Sequence, residues 1–230
     1  RIDPATWAFA RARLAEQWSP EQISGFLKVQ GLPGVSHETL YQRIYADKRA
    51  GGGLWRHLRC QKLRRKRYGR HDRRGTIPGR VSIESRPAAV EARTRVGHWE
   101  GDTIIGARHR QAIISLVERK SRYTLLTKVE RKTAHLVGQA VTGLLKPFKA
   151  RVHSLTTDHS KEFAEHQTIA RKLDAAFYFA HPYASWERGT NENTNGLLRQ
   201  YLPKGVSMED LTQADCDRIA TKLNRRARKR

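Results

Sequence analysis

The stretch G-H-W-E-G-D-T-I, residues 97–104, decides how the second half of the chain is read: Trp99 to Ile105 has the pattern of a strand, and it carries an acid, Asp102. Two further strand-like runs follow, Ala112 to Glu118 (A-I-I-S-L-V-E) and Tyr123 to Val129 (Y-T-L-L-T-K-V). The polar turn Arg119-Lys120-Ser121-Arg122 joins them as a hairpin. Thr133 is placed to cap a helix whose apolar residues are Leu136, Val137, Ala140, Val141 and Leu144, ending before Pro147. Val152 to Thr156 reads as the next strand, with Asp158 just past it in V-H-S-L-T-T-D-H-S-K-E-F (152–163). Gln167 to Leu173 reads as a helix and Ala175 to Phe179 as a strand. After an irregular loop at His181-Pro182-Tyr183, a helix starts between Glu187 and Asn191 and runs to Leu202. It carries Glu192 in E-R-G-T-N-E-N-T-N-G-L-L-R-Q-Y (187–201). The order is three strands, helix, strand, helix, strand, helix, an α/β pattern.

Asp102, Asp158 and Glu192 stand in basic surroundings. The 230 residues hold 45 Lys+Arg against 22 Asp+Glu, a net charge of +23. Such a field suits a polyanion or an anionic membrane. No apolar run approaches the ~18 residues of a spanning helix, and no signal peptide is visible, so nucleic acid is the expected partner. A carboxylate cluster repels a polyanion unless divalent cations intervene, which points to metal-dependent chemistry on nucleic acid. Hard Mg²⁺ prefers oxygen, so His98 and His159, beside the acids, are expected to support the site or touch DNA rather than ligate. Glu100 shares a strand face with Asp102 and is a candidate helper. Glu162 competes with Asp158, and Glu187 with Glu192. Hydrogen bonding within its loop is expected of Glu162, and support of the turn of Glu187.

The first 47 residues read as three short helices. Asp3-Pro4 starts one in which Trp7, Ala10, Leu14 and Trp18 recur at helical spacing. Ser19 caps a second, Gln22 completes a capping box, and Trp18 can staple to Ile23. Ser36 caps a third, with Val35 against Leu40. Two capped helices joined by a glycine-containing turn fit a helix-turn-helix, with Ser36, His37, Thr39, Gln42 and Arg43 facing the major groove. A three-helix bundle that touches no DNA has the same pattern, and the surrounding charge favours DNA. Residues 48–94 read as a basic linker. Twelve Lys/Arg fall between Lys48 and Arg74 against one acid, Asp72, and Arg64, Arg65, Lys66 and Arg67 are its densest run. That density suits an arm tracking phosphates, while Trp55 and Tyr68 are too few to imply base stacking.

The cysteines, Cys60 and Cys216, lie far apart and form no zinc spacing. Cys216 falls in register with Ile219, Ala220 and Leu223 on a helical stripe, as a free or buried thiol. The chain opens on Arg1 without an initiator Met and is expected to derive from a longer polypeptide.

The chain resembles the transposases of bacterial insertion sequences of the IS-thirty family. The resemblance rests on R-P-A-A-V-E-A-R-T-R-V-G-H-W-E-G-D-T-I (86–104), T-T-D-H-S-K-E-F (156–163) and Y-A-S-W-E-R-G-T-N-E-N-T-N-G-L-L-R-Q-Y-L-P-K-G (183–205). It implies a ribonuclease H-like, integrase-type mixed sheet flanked by helices over residues 95–230, preceded by the helix-turn-helix and the linker. Family members continue beyond the position of Arg230, and Ala227 stands where they commonly have proline. Carried over, Asp102, Asp158 and Glu192 are catalytic acids and metal ligands for two Mg²⁺ (or Mn²⁺) ions. The ions would activate water, free a 3′-hydroxyl at the element's end and allow its transfer into target DNA. Arg188, Asn191, Asn193, Asn195, Arg199 and Lys204 share the Glu192 segment and are candidates to position the DNA backbone. The resemblance further implies double-stranded DNA partners (element ends and target), a DNA-assembled homodimer or higher form, and a bacterial cytoplasmic, nucleoid-associated location. No membrane partner or small-molecule substrate is expected. A catalytically silent DNA-binding regulator or remnant is the alternative, and a stand-alone metal nuclease of the same fold a third reading. Tyrosine or serine recombinases would leave the spaced acids unexplained.

Overall fold

The computed structural model describes residues 2–58, 77–107, 111–181 and 184–227. Two compact units divide the chain: Arg1–Tyr68 with Arg225–Arg230, and Gly69–Asn224.

In the first unit, helices α1 (Pro4–Ala15), α2 (Pro20–Val29) and α3 (His37–Arg49) each begin at a side-chain cap. The Asp3 carboxylate accepts the Thr6 N–H at 2.9 Å. At α2 the box is reciprocal: Gln22 N–H donates to Ser19 Oγ at 3.2 Å, and Ser19 N–H to Gln22 Oε1 at 2.9 Å. Ser36 Oγ accepts the Thr39 N–H at 3.1 Å. Each cap satisfies amides that the first helical turn leaves without partners. The helices bury Ala10, Leu14, Trp18, Ile23, Leu27, Val35, Leu40 and Ile44 in one cluster. The segment read as linker contributes to it. Helix α3 runs on to Arg49, and a 3₁₀ turn, Leu54–His57, follows. Leu58 joins the cluster while Leu54 and Trp55 pack on it, because these apolar residues interrupt the run of charge. Residue Ala227 packs on the same cluster, and its carbonyl accepts a hydrogen bond from Gln22 Nε2 at 2.6 Å.

The second unit opens with the short helix α4 (Ala88–Glu91) and is built on five strands: β1 (His98–Ile105), β2 (Ala112–Glu118), β3 (Thr124–Val129), β4 (Ser154–Thr157) and β5 (Ala176–Phe179). Their order across the sheet is β3-β2-β1-β4-β5, the first three antiparallel and β4 and β5 parallel to β1. Helices α5 (Ala134–Leu145), α6 (His166–Leu173), α7 (Gly189–Leu198) and α8 (Gln213–Asn224) complete it. One apolar cluster joins α5 and α6 to Trp99, Ile114, Leu116, Leu155 and Phe177. The other joins α7 and α8, with Leu198, Cys216 and Leu223, to Ile104, Ile113 and Leu126. The sheet is therefore covered on both faces, which is why β2 reads as an unbroken apolar run and is buried throughout. The result is a mixed five-stranded sheet flanked by helices.

Several boundaries differ from the sequence reading by one residue, and three by more. Strand β4 starts at Ser154, since Val152 closes the preceding 3₁₀ turn by donating to the Lys149 carbonyl at 3.1 Å. Helix α7 ends at Leu198, and the chain turns before Pro203. Residues 77–94, assigned to the linker, belong to this unit: Ile77 and Val90 are buried, and Ser82 forms a parallel bridge with Phe179. The apolar side chains have a sheet edge to cover. Among the described residues no helix is long and apolar enough to cross a membrane. Cys60, Arg64, Arg65, Lys66 and Arg67 lie outside the described residues.

Candidate functional site

Parallel pairing of β1 with β4 sets His98 against Ser154 and Glu100 against Thr156. Two places further along that register stand Asp102 and Asp158. Asp102 Oδ1 accepts the Thr103 N–H at 2.9 Å, and Oδ2 accepts Asn195 Nδ2 from α7 at 2.7 Å. The Arg188 guanidinium lies 3.6 Å from the same carboxylate, whose side chain is 25% exposed. Burial raises the Asp102 pKa; Arg188 opposes the rise, and the nearby charge of Asp158 adds to it. Asp158 accepts a hydrogen bond from Ser160 Oγ at 2.6 Å through Oδ2, while its Oδ1 is buried and has no hydrogen-bond partner. Two acids thus meet in a setting that penalises their joint ionisation.

Glu192 is exposed on α7. It precedes Asn195 by three residues, so the two are neighbours on the helix surface. The α7 segment meets Asp102 through Arg188 and Asn195, a cation and an amide donor, where Glu192 would add a like charge. Among the described residues no three His, Cys, Asp or Glu side chains converge as a set able to hold a metal ion. The structure therefore gathers Asp102 and Asp158, and Glu192 stands exposed on α7.

The neighbouring acids have other duties. Glu162 is buried, but its partners lie outside its loop: Thr103 Oγ1 donates to it at 2.7 Å, and Lys132 Nζ is 3.1 Å away. Glu187 supports the turn before α7, accepting the His181 N–H at 2.8 Å and lying 2.8 Å from His181 Nδ1. Glu100 faces α7 and is fully buried. Its Oε1 accepts Arg119 Nη1 at 2.6 Å, and its Oε2 accepts the Asn191 N–H at 2.8 Å. Glu100 thus anchors the first turn of α7 rather than helping the aspartates directly. Glu91 extends the network, pairing with Arg119 at 3.0 Å and with Arg86. Arg86 in turn donates to Thr156 Oγ1 at 3.2 Å. Burial, with the charge of Arg119 beside it, lowers the Arg86 pKa to about 10. His98 bonds Ser154 Oγ at 2.8 Å between β1 and β4. His159 is buried, with Arg80 Nη1 2.8 Å from its Nδ1, so it is not available to DNA.

The expected DNA contacts divide in the same way. Ser36, His37, Thr39, Gln42 and Arg43 are all exposed at the start of α3. The Ser36 hydroxyl is engaged in the cap, and Arg43 lies 4.9 Å over the Trp7 ring. Asn191 is fully buried and cannot be a DNA contact; the anchoring of its N–H by Glu100 holds it inside the unit. Asn195 accepts Ser115 Oγ at 3.0 Å besides donating to Asp102. Arg188 donates to the Gly101 carbonyl at 3.3 Å and Arg199 to that of Leu202 at 3.3 Å. Asn193 and Lys204 are exposed. The polar letters of α7 are thus largely internal, which spacing within the helix could not reveal.

Residues 92–185 match the integrase core domain family. The transposase for insertion sequence element IS4351 of Bacteroides fragilis is 46% identical over 218 residues, which cover 94% of this chain and 67% of that protein. Transposase InsI for insertion sequence element IS30A of Escherichia coli (strain K12) is 38% identical over 231 residues, covering 94% of this chain and 59% of that protein. Among solved structures, the catalytic core domain of BIV integrase aligns at 20% identity with a TM-score of 0.40, over 55% of this chain and 78% of that one. Both transposases are longer than this chain, and the identity runs through nearly all of it. The chain belongs to the IS30 family of insertion-sequence transposases.

Proposed function

We propose that the chain carries the DNA-binding and catalytic parts of a transposase that cuts the ends of an insertion sequence and joins them to target DNA. The observation that carries this reading is the pair Asp102, within β1, and Asp158, just past the end of the parallel strand β4, in a protein of charge +23. Enzymes with this core depend on a divalent metal ion, and the pair fits one. Both donors are hard carboxylate oxygens, one Asp158 oxygen is buried without a partner, and the charge of Asp158 adds to the cost of ionising Asp102. Asp102 and Asp158 would hold the metal, and Glu192, three residues before Asn195 on α7, would complete the set. Two Mg²⁺ or Mn²⁺ ions bound there would supply an activated water and stabilise the departing 3′-oxygen.

The protein's own groups do the rest. Glu100 and Arg119 fix the start of α7, and with it the approach of Glu192 and Asn195 to β1. Arg188 balances the charge of Asp102, and Arg199 and Lys204 offer cations to the DNA backbone. The freed 3′-hydroxyl is then the nucleophile for strand transfer, with no protein–DNA bond. Helices α2 and α3 act as a helix-turn-helix, with His37, Thr39, Gln42 and Arg43 presented to the major groove. Arg64, Arg65, Lys66 and Arg67 follow phosphates. Two element ends require two copies, assembled on DNA.

The test is cleavage and strand transfer on duplexes carrying the element's terminal repeats, with Mg²⁺ or Mn²⁺. Asp102→Asn, Asp158→Asn and Glu192→Gln should each abolish cleavage and leave DNA binding intact at moderate salt. An Asp102→Asn protein that cuts as well as the parent would overturn the acid assignment. Full activity in Glu192→Gln would remove Glu192 alone. Binding by the parent without metal-dependent cleavage would favour the silent regulator.

A further inference from the structure

Trp186 is 75% exposed, in the 3₁₀ turn Ser185–Arg188 that leads into α7. A tryptophan is normally well buried, and so large an apolar ring left in solvent beside a cavity marks a binding surface. A cavity of about 370 Å³ adjoins it, walled by Ile83, Arg86, Glu91, Arg93, Arg119, Glu187, Gly189 and Trp186. That volume suits a small planar group rather than a second protein chain. The polar side of the cavity carries three arginines against two glutamates, with Glu91 paired to Arg86 and Arg119. Arg86 and Arg119 have side chains only 3% exposed, and Arg93 is exposed. Arg119 is held by Glu100 and Glu91, yet its Nε is buried with no hydrogen-bond partner. Glu187 is occupied by His181. The cavity therefore joins a stacking face to guanidinium groups, the combination that unpaired nucleotides find on proteins.

Its position gives the nucleotide an origin. Arg188, two residues after Trp186, lies 3.6 Å from Asp102. Arg86, on the cavity wall, donates to Thr156, two residues before Asp158. The cavity wall is thus tied to β4, two residues before Asp158, and to the turn whose Arg188 meets Asp102.

We propose that this cavity receives one unpaired base of the DNA strand held at the acids, stacked on Trp186, with the adjoining phosphate held by Arg86 and Arg93. The inference rests on the reading of Asp102 and Asp158 as the acids at the scissile phosphate. Extruding a base from a duplex costs unstacking free energy, least where the base is already unpaired. A stacking platform at the acids offsets that cost and fixes the strand on one side of the cut.

The test compares terminal-repeat duplexes that are fully paired with duplexes in which a single mismatch is moved through the outermost positions of the repeat. Binding is read by competition in EDTA, so that it is measured without cleavage. The parent protein should prefer one mismatch position by about 10-fold, and Trp186→Ala should erase that preference. Trp186→Phe should keep most of it. A 5-iodouracil at the preferred position should crosslink to the peptide containing residue 186, and the Trp186→Ala melting temperature should match the parent's because the side chain is exposed. No preference at any position, or a preference that survives in Trp186→Ala, overturns the proposal. A crosslink that maps elsewhere does the same. Because metal is absent throughout, a failure of the acid assignment shows only in the cleavage assay, and a failure of the cavity only here.

Discussion

At Gly97 the backbone takes φ +107°, and a β-carbon there would run into the carbonyl oxygen of Arg151 and the ring of His153. The Gly97 carbonyl also accepts the His153 N–H at 2.8 Å, so this residue sets where β1 begins against β4. Gly97→Ala should destabilise the second unit by roughly 1–3 kcal/mol, seen as a lowered melting temperature. Further along β1, Asp102 makes the opposite prediction. Its folded pKa is raised, so the native state binds that proton more tightly than the unfolded chain does. Its contribution to stability is full below the ordinary carboxylate range and is lost as pH climbs through the raised value. At neutral pH the charge is a burden, so Asp102→Asn should melt at or above the parent's temperature while losing on the order of 10²-fold or more in cleavage rate. Mg²⁺ should raise the melting temperature of the parent more than that of the variant. A variant that is less stable and equally responsive to Mg²⁺ would show that Asp102 is neither strained nor a ligand.

At the scale of elements, the caps were legible in the sequence because they are local. Ser19 and Gln22, or Ser36 and Thr39, are three residues apart, and their chemistry needs only the first turn. The anchor of α7 was not legible, because it joins Glu100 to Arg119, 19 residues on, and to Asn191, 91 residues on. Nothing near Asn191 distinguishes an asparagine held inside from one offered to DNA. Asp102 could be placed on a strand and Asp158 just past one from pattern alone, but the partners that compensate Asp102, Arg188 and Asn195, come with the packing of α7 on the sheet. The pair Glu100–Arg119 is 0% and 3% exposed, so removing one member leaves a buried charge. Glu100→Ala should cost about 3–5 kcal/mol. Hydrogen exchange should quicken at the start of α7 before it does in β2. Replacing both residues with apolar ones should recover part of the stability but not the protection at α7. Equal protection in Glu100→Ala would show that α7 is seated by its apolar face alone.

At the scale of the molecule, a charge of +23 governs association before any base is read. Binding to arbitrary DNA should fall steeply with salt, and neutralising Arg64, Arg65, Lys66 and Arg67 together should flatten the slope by ~0.9 for each phosphate that is no longer neutralised. The weakening should be similar for repeat and non-repeat DNA, and a weakening confined to the repeat would give these residues a reading role instead. The division into units has a consequence in time. The first unit takes in residues 225–230, and Ala227 closes on Gln22 across 205 positions of chain. On a ribosome adding roughly 5–20 residues each second, that closure comes some ~10–40 s after Gln22 has been made. Helices α1, α2 and α3 are therefore synthesised well before the residue that completes their packing, and in the nascent chain their apolar cluster waits for Ala227.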